Sequence, residues 1–282
     1  MVNNPTSNDD LQPLSQAYFE LAKKWWWRSI ACKFFVFIIG LTSALLVIFP
    51  IYAPFLAAIL EIASEICLWR SDTIKDGAEI LRRKLDIRES FGWPISNTEL
   101  SDLYITTPDS LLKLAPRETQ GENYFASQLP VGERKALENI QESAWWSKHL
   151  SEKMFQYCLA TSFFLFAVIL GTLIVCIQAL SSKDALINVA RIVTSTLMLF
   201  FILGLFRKVI GYYEFTQKAS QIESRIEVLL NTQNITEFDA IKIMHEYQLA
   251  RSSCPLIPTF IWKQMRGKLN IMWAKYRQQQ TS

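Results

Sequence analysis

The sequence predicts an all-α protein with four membrane-spanning helices, arranged as two membrane hairpins with a helical cytoplasmic insert between them and cytoplasmic helices after them. Three observations predict this. Residues 34–69 form an apolar run whose only charges are Glu61 and Glu65. A second apolar pair of segments follows at 154–206. The stretches between and after them are charged and carry apolar residues at helical spacing.

One apolar helix crosses a bilayer with about 20 residues. The run at 34–69 is too long for one span and suits two short ones. Pro50 and Pro54 stand in its middle, where a turn and a first helical position tolerate proline. We therefore place span one at Phe34–Phe49 and span two at Pro54–Trp69. No cleavable signal peptide is expected, because the apolar run starts late and outlasts a signal h-region.

Ahead of span one, residues 1–33 are read as a cytoplasmic interfacial helix. Leu14, Tyr18, Leu21 and Trp25 fall three and four apart, and Trp25–Trp27 sit among Lys23, Lys24 and Arg28, the composition of a membrane–water interface. Lys33 joins these cations before the first span. Arg70, Lys75, Arg82, Arg83, Lys84 and Arg88 follow the second, and the hairpin tip has none. The positive-inside rule puts both flanks in the cytoplasm.

Residues 70–153 form the cytoplasmic insert. Arg70–Arg88 continues span two as a helix with an apolar stripe of Ile74, Ala78, Leu81 and Leu85, and Gly92 and Pro94 end it. Turn formers from Asn97 to Pro130 predict short helices and loops. Residues 131–153 turn helical again, with Trp145 and Trp146 near the membrane base. The second hairpin, 154–206, pairs Met154–Leu180 with Ala185–Phe206 across a short turn at Ser181–Asp184. Arg207 and Lys208 mark the return to the cytoplasm. In the C-terminal part, 207–282, a charged amphipathic helix reaches Leu230. Thr236 and Asp239 form a capping box for a helix to about Ser252. Pro255 and Pro258 interrupt, and Thr259–Arg277 forms a basic helix. Both termini are placed inside, in a multi-pass membrane protein.

Composition narrows the function. Net charge is only +3, so bulk charge points to no polyanionic partner. Five Cys and two His show no metal-ligand spacing. No phosphate loop, nucleophile elbow or HExxH stretch occurs, so the protein is read as a non-enzyme without metal or cofactor.

Two features carry chemistry. Glu61 and Glu65 are spaced i,i+4 on one face of span two. A rise of about 1.5 Å per residue puts them roughly 13 and 7 Å from Arg70. Carboxylates at such depth face water or a partner: either a ring of them lines a cation pore in an oligomer, or they hold the bundle together. Ala57, Ala58 and Ser64 are small enough for close helix approach. Arg191, about 24 Å from Arg207, is read as snorkelling to the outer face. The second feature is cytoplasmic. Arg82, Arg83 and Arg88 lead into Phe91 and Trp93, and Arg251 and Arg266 flank Trp262. Arginine pairs with phosphate and aromatic rings stack on bases; juxtamembrane cations also arise from topology and attraction to anionic lipid.

The layout, with RSDTIKDGAEILRRKLDIRESFGWPIS at 70–96 and YQLARSSCPLIPTFIWKQMRGKLNIMW at 247–273, resembles the SMODS-associated four-transmembrane effector family. That resemblance implies a place in bacterial anti-phage defence, where a nucleotide cyclase senses infection and makes a cyclic di- or trinucleotide. It implies a receptor-effector whose cytoplasmic part binds that messenger and whose membrane part opens the inner membrane, killing or arresting the cell. Arg82, Arg83, Arg88, Phe91, Trp93, Arg251, Trp262 and Arg266 are the corresponding ligand candidates. Four short spans enclose little pore, so a homo-oligomer is expected, with a tetramer as the working stoichiometry. The rival readings are a constitutive small channel or transporter, a membrane scaffold that recruits a cytoplasmic partner, and a membrane-bound enzyme built without motifs.

Overall fold

The computed structural model describes residues 11–45, 52–108, 111, 125–178, 193, 197, 204–232 and 234–281. These residues form seven α-helices and no strand: α1 (Leu11–Leu45), α2 (Ala53–Phe91), α3 (Asn97–Thr106), α4 (Glu133–Gln178), α5 (Leu205–Leu230), α6 (Glu237–Ser253) and α7 (Thr259–Thr281).

Local sequence sets most helix ends. Pro54 sits in the first turn of α2, where a missing N–H costs no ladder bond. At the other end Gly92 adopts φ +70° and its N–H bonds to Arg88 O at 2.9 Å. This left-handed C-terminal stop strains any residue with a Cβ. Ser96 caps α3 by accepting from Glu99 N. Thr236 caps α6 by accepting from Asp239 N at 3.2 Å, and Cys254 closes that helix before Pro255. Arg70–Arg88 is one continuous piece with the apolar segment before it, as the unbroken helical period predicts.

The chain divides into two compact units. The first comprises the described parts of Met1–Ala22, Thr73–Glu152 and Tyr213–Ser282. Its core is a set of helix stripes. Leu81 and Leu85 of α2 pack with Leu11 and Leu14 of α1, and with Tyr18, Ile95, Leu100 and Leu103. Truncating a side chain as buried as Leu81 to Ala typically costs about 3 kcal/mol. Gly77 allows the α1–α2 approach: a Cβ there would stand 3.2 Å from the Tyr18 ring. The Tyr18 hydroxyl reaches Thr107 Oγ1 at 3.1 Å. Phe215, Ala219, Ile222 and Ile226 of α5 are buried at spacings of four, three and four, so this helix contributes a core face. Trp145 of α4 meets Leu269 and Trp273 of α7, with the two indoles 5.2 Å apart. Leu14 and Trp145, which the sequence reading assigned to membrane-proximal surfaces, are thus core residues of this unit.

The second unit comprises the described parts of Lys23–Asp72 and Lys153–Tyr212. Its apolar side chains point largely outward. Phe55, Leu56, Ile59, Ile62 and Ile66 on α2, and Phe163, Phe164, Phe166 and Ile174 on α4, are all exposed. Among the described residues one helix, in the stretch Glu133–Gly171, is long and apolar enough to cross a membrane. Four were expected. On α2 the apolar stretch before Arg70 is short and interrupted by Glu61 and Glu65. The tip at Pro50, the turn at Ser181–Asp184 and nearly all of Ala185–Phe206 lie outside the described residues. Trp26 is buried and Trp27 half exposed; the Lys208 ammonium lies 5.0 Å from the Trp26 ring.

Candidate functional site

In the second unit, two serines bring α1 and α2 together. Ser29 and Ser64 are both buried, their hydroxyls are 2.9 Å apart, and Ser64 Oγ also donates to Ser29 O at 3.2 Å. Small residues at a crossing permit this proximity. Lys33 lies one turn further along α1 and Glu65 one residue after Ser64, so the crossing aims the ammonium at the carboxylates. Lys33 Nζ donates to Glu65 Oε1 at 2.9 Å and stands 4.0 Å from Glu61 Oε1.

The environment of this triad is asymmetric. Lys33 is nearly enclosed, whereas the Glu61 side chain is 35% exposed and that of Glu65 59%. Glu61 Oε2 is buried without a hydrogen-bond donor. The two carboxylates share a surface depression with Ile62, Ile66 and Trp69. The chain thus holds one of its own cations against both carboxylates.

The sequence reading used Lys33 only to orient the chain. No local signal marks it as the partner of Glu61 and Glu65, since helix α1 must first fold back along α2. Ser64 was correctly expected at a close helix approach; Ala58 is exposed. Arg191 lies outside the described residues.

In the first unit, the candidate arginines are distributed differently from the sequence expectation. Arg251 is buried, 6% exposed. Its Nε donates to Glu79 Oε2 at 2.8 Å and its Nη1 to Asp86 Oδ2 at 2.9 Å. Glu79 and Asp86 are seven residues apart on α2, two turns along one face. The guanidinium thus ties α6 to α2 and faces two carboxylates of the core, away from the other ligand candidates. Its carbon centre lies 5.5 Å from the Tyr247 ring. Tyr247 donates to Ser143 O at 2.9 Å and shares a 2.9 Å bond with Ser147. Burial pushes the Tyr247 phenol up, while the charges of Arg251 and Arg82 oppose the rise.

Arg82 and Arg83 are half-buried, each with its Nε enclosed, and Arg88 pairs with Glu89 at 2.9 Å. Phe91 and Trp93 stand 5.4 Å apart, with Trp93 exposed. Arg266 stacks over Trp262 at 4.8 Å on the outer side of α7. The candidates accordingly fall in three places: within the core, along α2, and on the exterior of α7. Asp86, Ser90, Asn139, Ser143 and Tyr247 line a cavity of about 10 Å³, room for one water and far too little for a nucleotide.

Other polar contacts support this frame. Lys75 Nζ donates to Ser252 O at 2.7 Å and to Cys254 O at 2.6 Å, placing a cation on the C-terminal carbonyls of α6. Burial pushes the Cys254 thiol up to about 12. Among the described residues no group of His, Cys, Asp and Glu could hold a metal.

No family model, curated protein or solved structure matches this chain.

Proposed function

We propose that this chain is a four-span inner-membrane effector of bacterial anti-phage defence. A cyclic di- or trinucleotide from a partner cyclase gates it, and its homo-oligomer permeabilises the membrane through a path bordered by Glu61 and Glu65. The supporting observation is the Lys33–Glu61–Glu65 set, an ionic cluster on a helix whose neighbouring Ile59, Ile62 and Ile66 are exposed. Outward isoleucines suit hydrocarbon, and carboxylates in such a setting border a water-filled path or a partner. The fourth span is assigned to Ala185–Phe206, with both termini cytoplasmic.

In the resting state Lys33 holds the position that a permeant cation would take. Opening then requires the α1–α2 contact to shift so that Lys33 withdraws. A messenger achieves this only by binding the open arrangement more tightly than the closed one. The chain passes between its two units within α1, α2, α4 and α5, so four helices are available to transmit a movement. Ligand contact is assigned to Arg82, Arg83, Arg88, Phe91 and Trp93 on α2 and its C-terminal end, and to Trp262 and Arg266 on α7.

A second reading has the specific support of the Ser29–Ser64 and Lys33–Glu65 bonds. In it the carboxylates only lock α1 to α2, and the protein is a scaffold for a cytoplasmic partner. Co-expression with an active cyclase separates the two. The effector arrests growth and collapses membrane potential, and Glu61→Ala with Glu65→Ala abolishes that collapse. Unchanged toxicity and potential in the double variant would sink the pore role.

A further inference from the structure

We infer that the outer face of α7 lies on an anionic lipid surface. Helix α7 carries Lys263, Arg266, Lys268, Lys275 and Arg277 and no acidic residue. Its inner face is fixed by Ile261, Leu269 and Trp273, all buried. On the opposite side Phe260, Gln264, Gly267, Ile271 and Ala274 recur at spacings of four and three, and every one is exposed. Such spacing makes a single strip along a helix. Phe260 is 50% and Ile271 61% exposed, and at Gly267 nothing lies within 4 Å of an added Cβ.

The charges identify the occupant. At 100° per residue, Lys263 lies on one flank of the strip, and Lys268 and Lys275 lie on the other; all three are exposed. Lysine stems run along apolar surface while their heads reach outward. A strip bearing Phe260, Ile271 and Ala274 between flanking lysines is the pattern of a helix lying in a membrane interface, with those residues at the acyl boundary and its ammonium groups among phosphates. A second α7 would bring cations against cations with no carboxylate on either helix to neutralise them. The outer face therefore fits an anionic surface that also accepts Phe260 and Ile271. This inference does not depend on the nucleotide or on the pore.

The test uses the full chain reconstituted in vesicles of phosphatidylcholine alone, or of phosphatidylcholine with phosphatidylglycerol. A bimane label is placed by Ile271→Cys, by Phe260→Cys as a second position, and by Glu237→Cys as a reference. Quenching by lipids with a nitroxide headgroup is read against the labelled unsubstituted chain. The expected result is severalfold stronger quenching at 271 and 260 than at 237 in the phosphatidylglycerol vesicles. That excess is lost in phosphatidylcholine, in high salt, and in Lys268→Glu with Lys275→Glu. Quenching equal at all three positions would overturn the inference, as would an excess indifferent to lipid charge. Protection at 271 that follows protein-to-lipid ratio would assign the face to a second copy instead.

Discussion

Lys33 on α1 and Glu65 on α2 form a 2.9 Å hydrogen-bonded ion pair beside Glu61, one helical turn from the buried Ser29–Ser64 contact. The serines bring the backbones close, and that closeness sets the reach of the lysine. The cation and the two carboxylates are therefore one device, and a change at Lys33 acts on both glutamates.

Lys33→Met leaves both carboxylates without their ammonium. Lys33 is buried but Glu65 is more than half exposed, so the stability loss is expected to stay below the about 3–5 kcal/mol of breaking a fully buried pair. The basal leak of reconstituted vesicles is expected to rise severalfold, because the internal cation is gone. Thermal melts and dye efflux on the same preparation check the pair of expectations. A large stability loss with unchanged leak would assign the triad to helix locking alone.

Arg251→Met has the opposite profile. It strands Glu79 and Asp86 as buried, unpaired carboxylates, and breaking one side of such a cluster costs about 3–5 kcal/mol. Adding Glu79→Gln and Asp86→Asn to Arg251→Met is expected to recover more than half of that loss. Denaturant melts in one detergent measure it. If Arg251→Met instead retained full stability and lost only nucleotide binding, the residue would be a ligand contact after all.

These two sites show which parts of the molecule are legible in sequence. Helix ends written by Gly92, Thr236 and Pro255 are local events and are readable as such. So is the continuity of Arg70–Arg88 with the apolar segment before it, since no breaker intervenes. Of the Ile74–Ala78–Leu81–Leu85 stripe assigned by period, Ala78, Leu81 and Leu85 are buried and Ile74 is half-buried. Partners far apart in sequence are not legible. Arg251 meets Glu79 across 172 positions and Asp86 across 165. An arginine near aromatic residues reads the same whether a phosphate or two buried carboxylates await it. Glu79 and Asp86, two turns apart beside an apolar stripe, are the signal that could have located its partners.

His149 provides a pH test in the first unit. Burial lowers its affinity for a proton, and Lys148 adds to this while Glu152 opposes. The imidazole packs edge-on against Trp145 at 4.6 Å. The folded state thus binds the proton less readily than the unfolded state. Its contribution is complete above the ordinary histidine value near 6.5 and is lost as pH falls through the depressed folded value. The melting temperature is expected to fall over that acid window, and His149→Gln is expected to flatten the fall. An identical pH profile for variant and parent would contradict this.

Efflux of a trapped dye from liposomes holding the purified chain, titrated with a panel of cyclic di- and trinucleotides, tests the central claim most directly. The account predicts saturable leakage with one nucleotide, lost in Glu61→Ala with Glu65→Ala. Intact liposomes under every nucleotide, with folded and inserted protein, would contradict it.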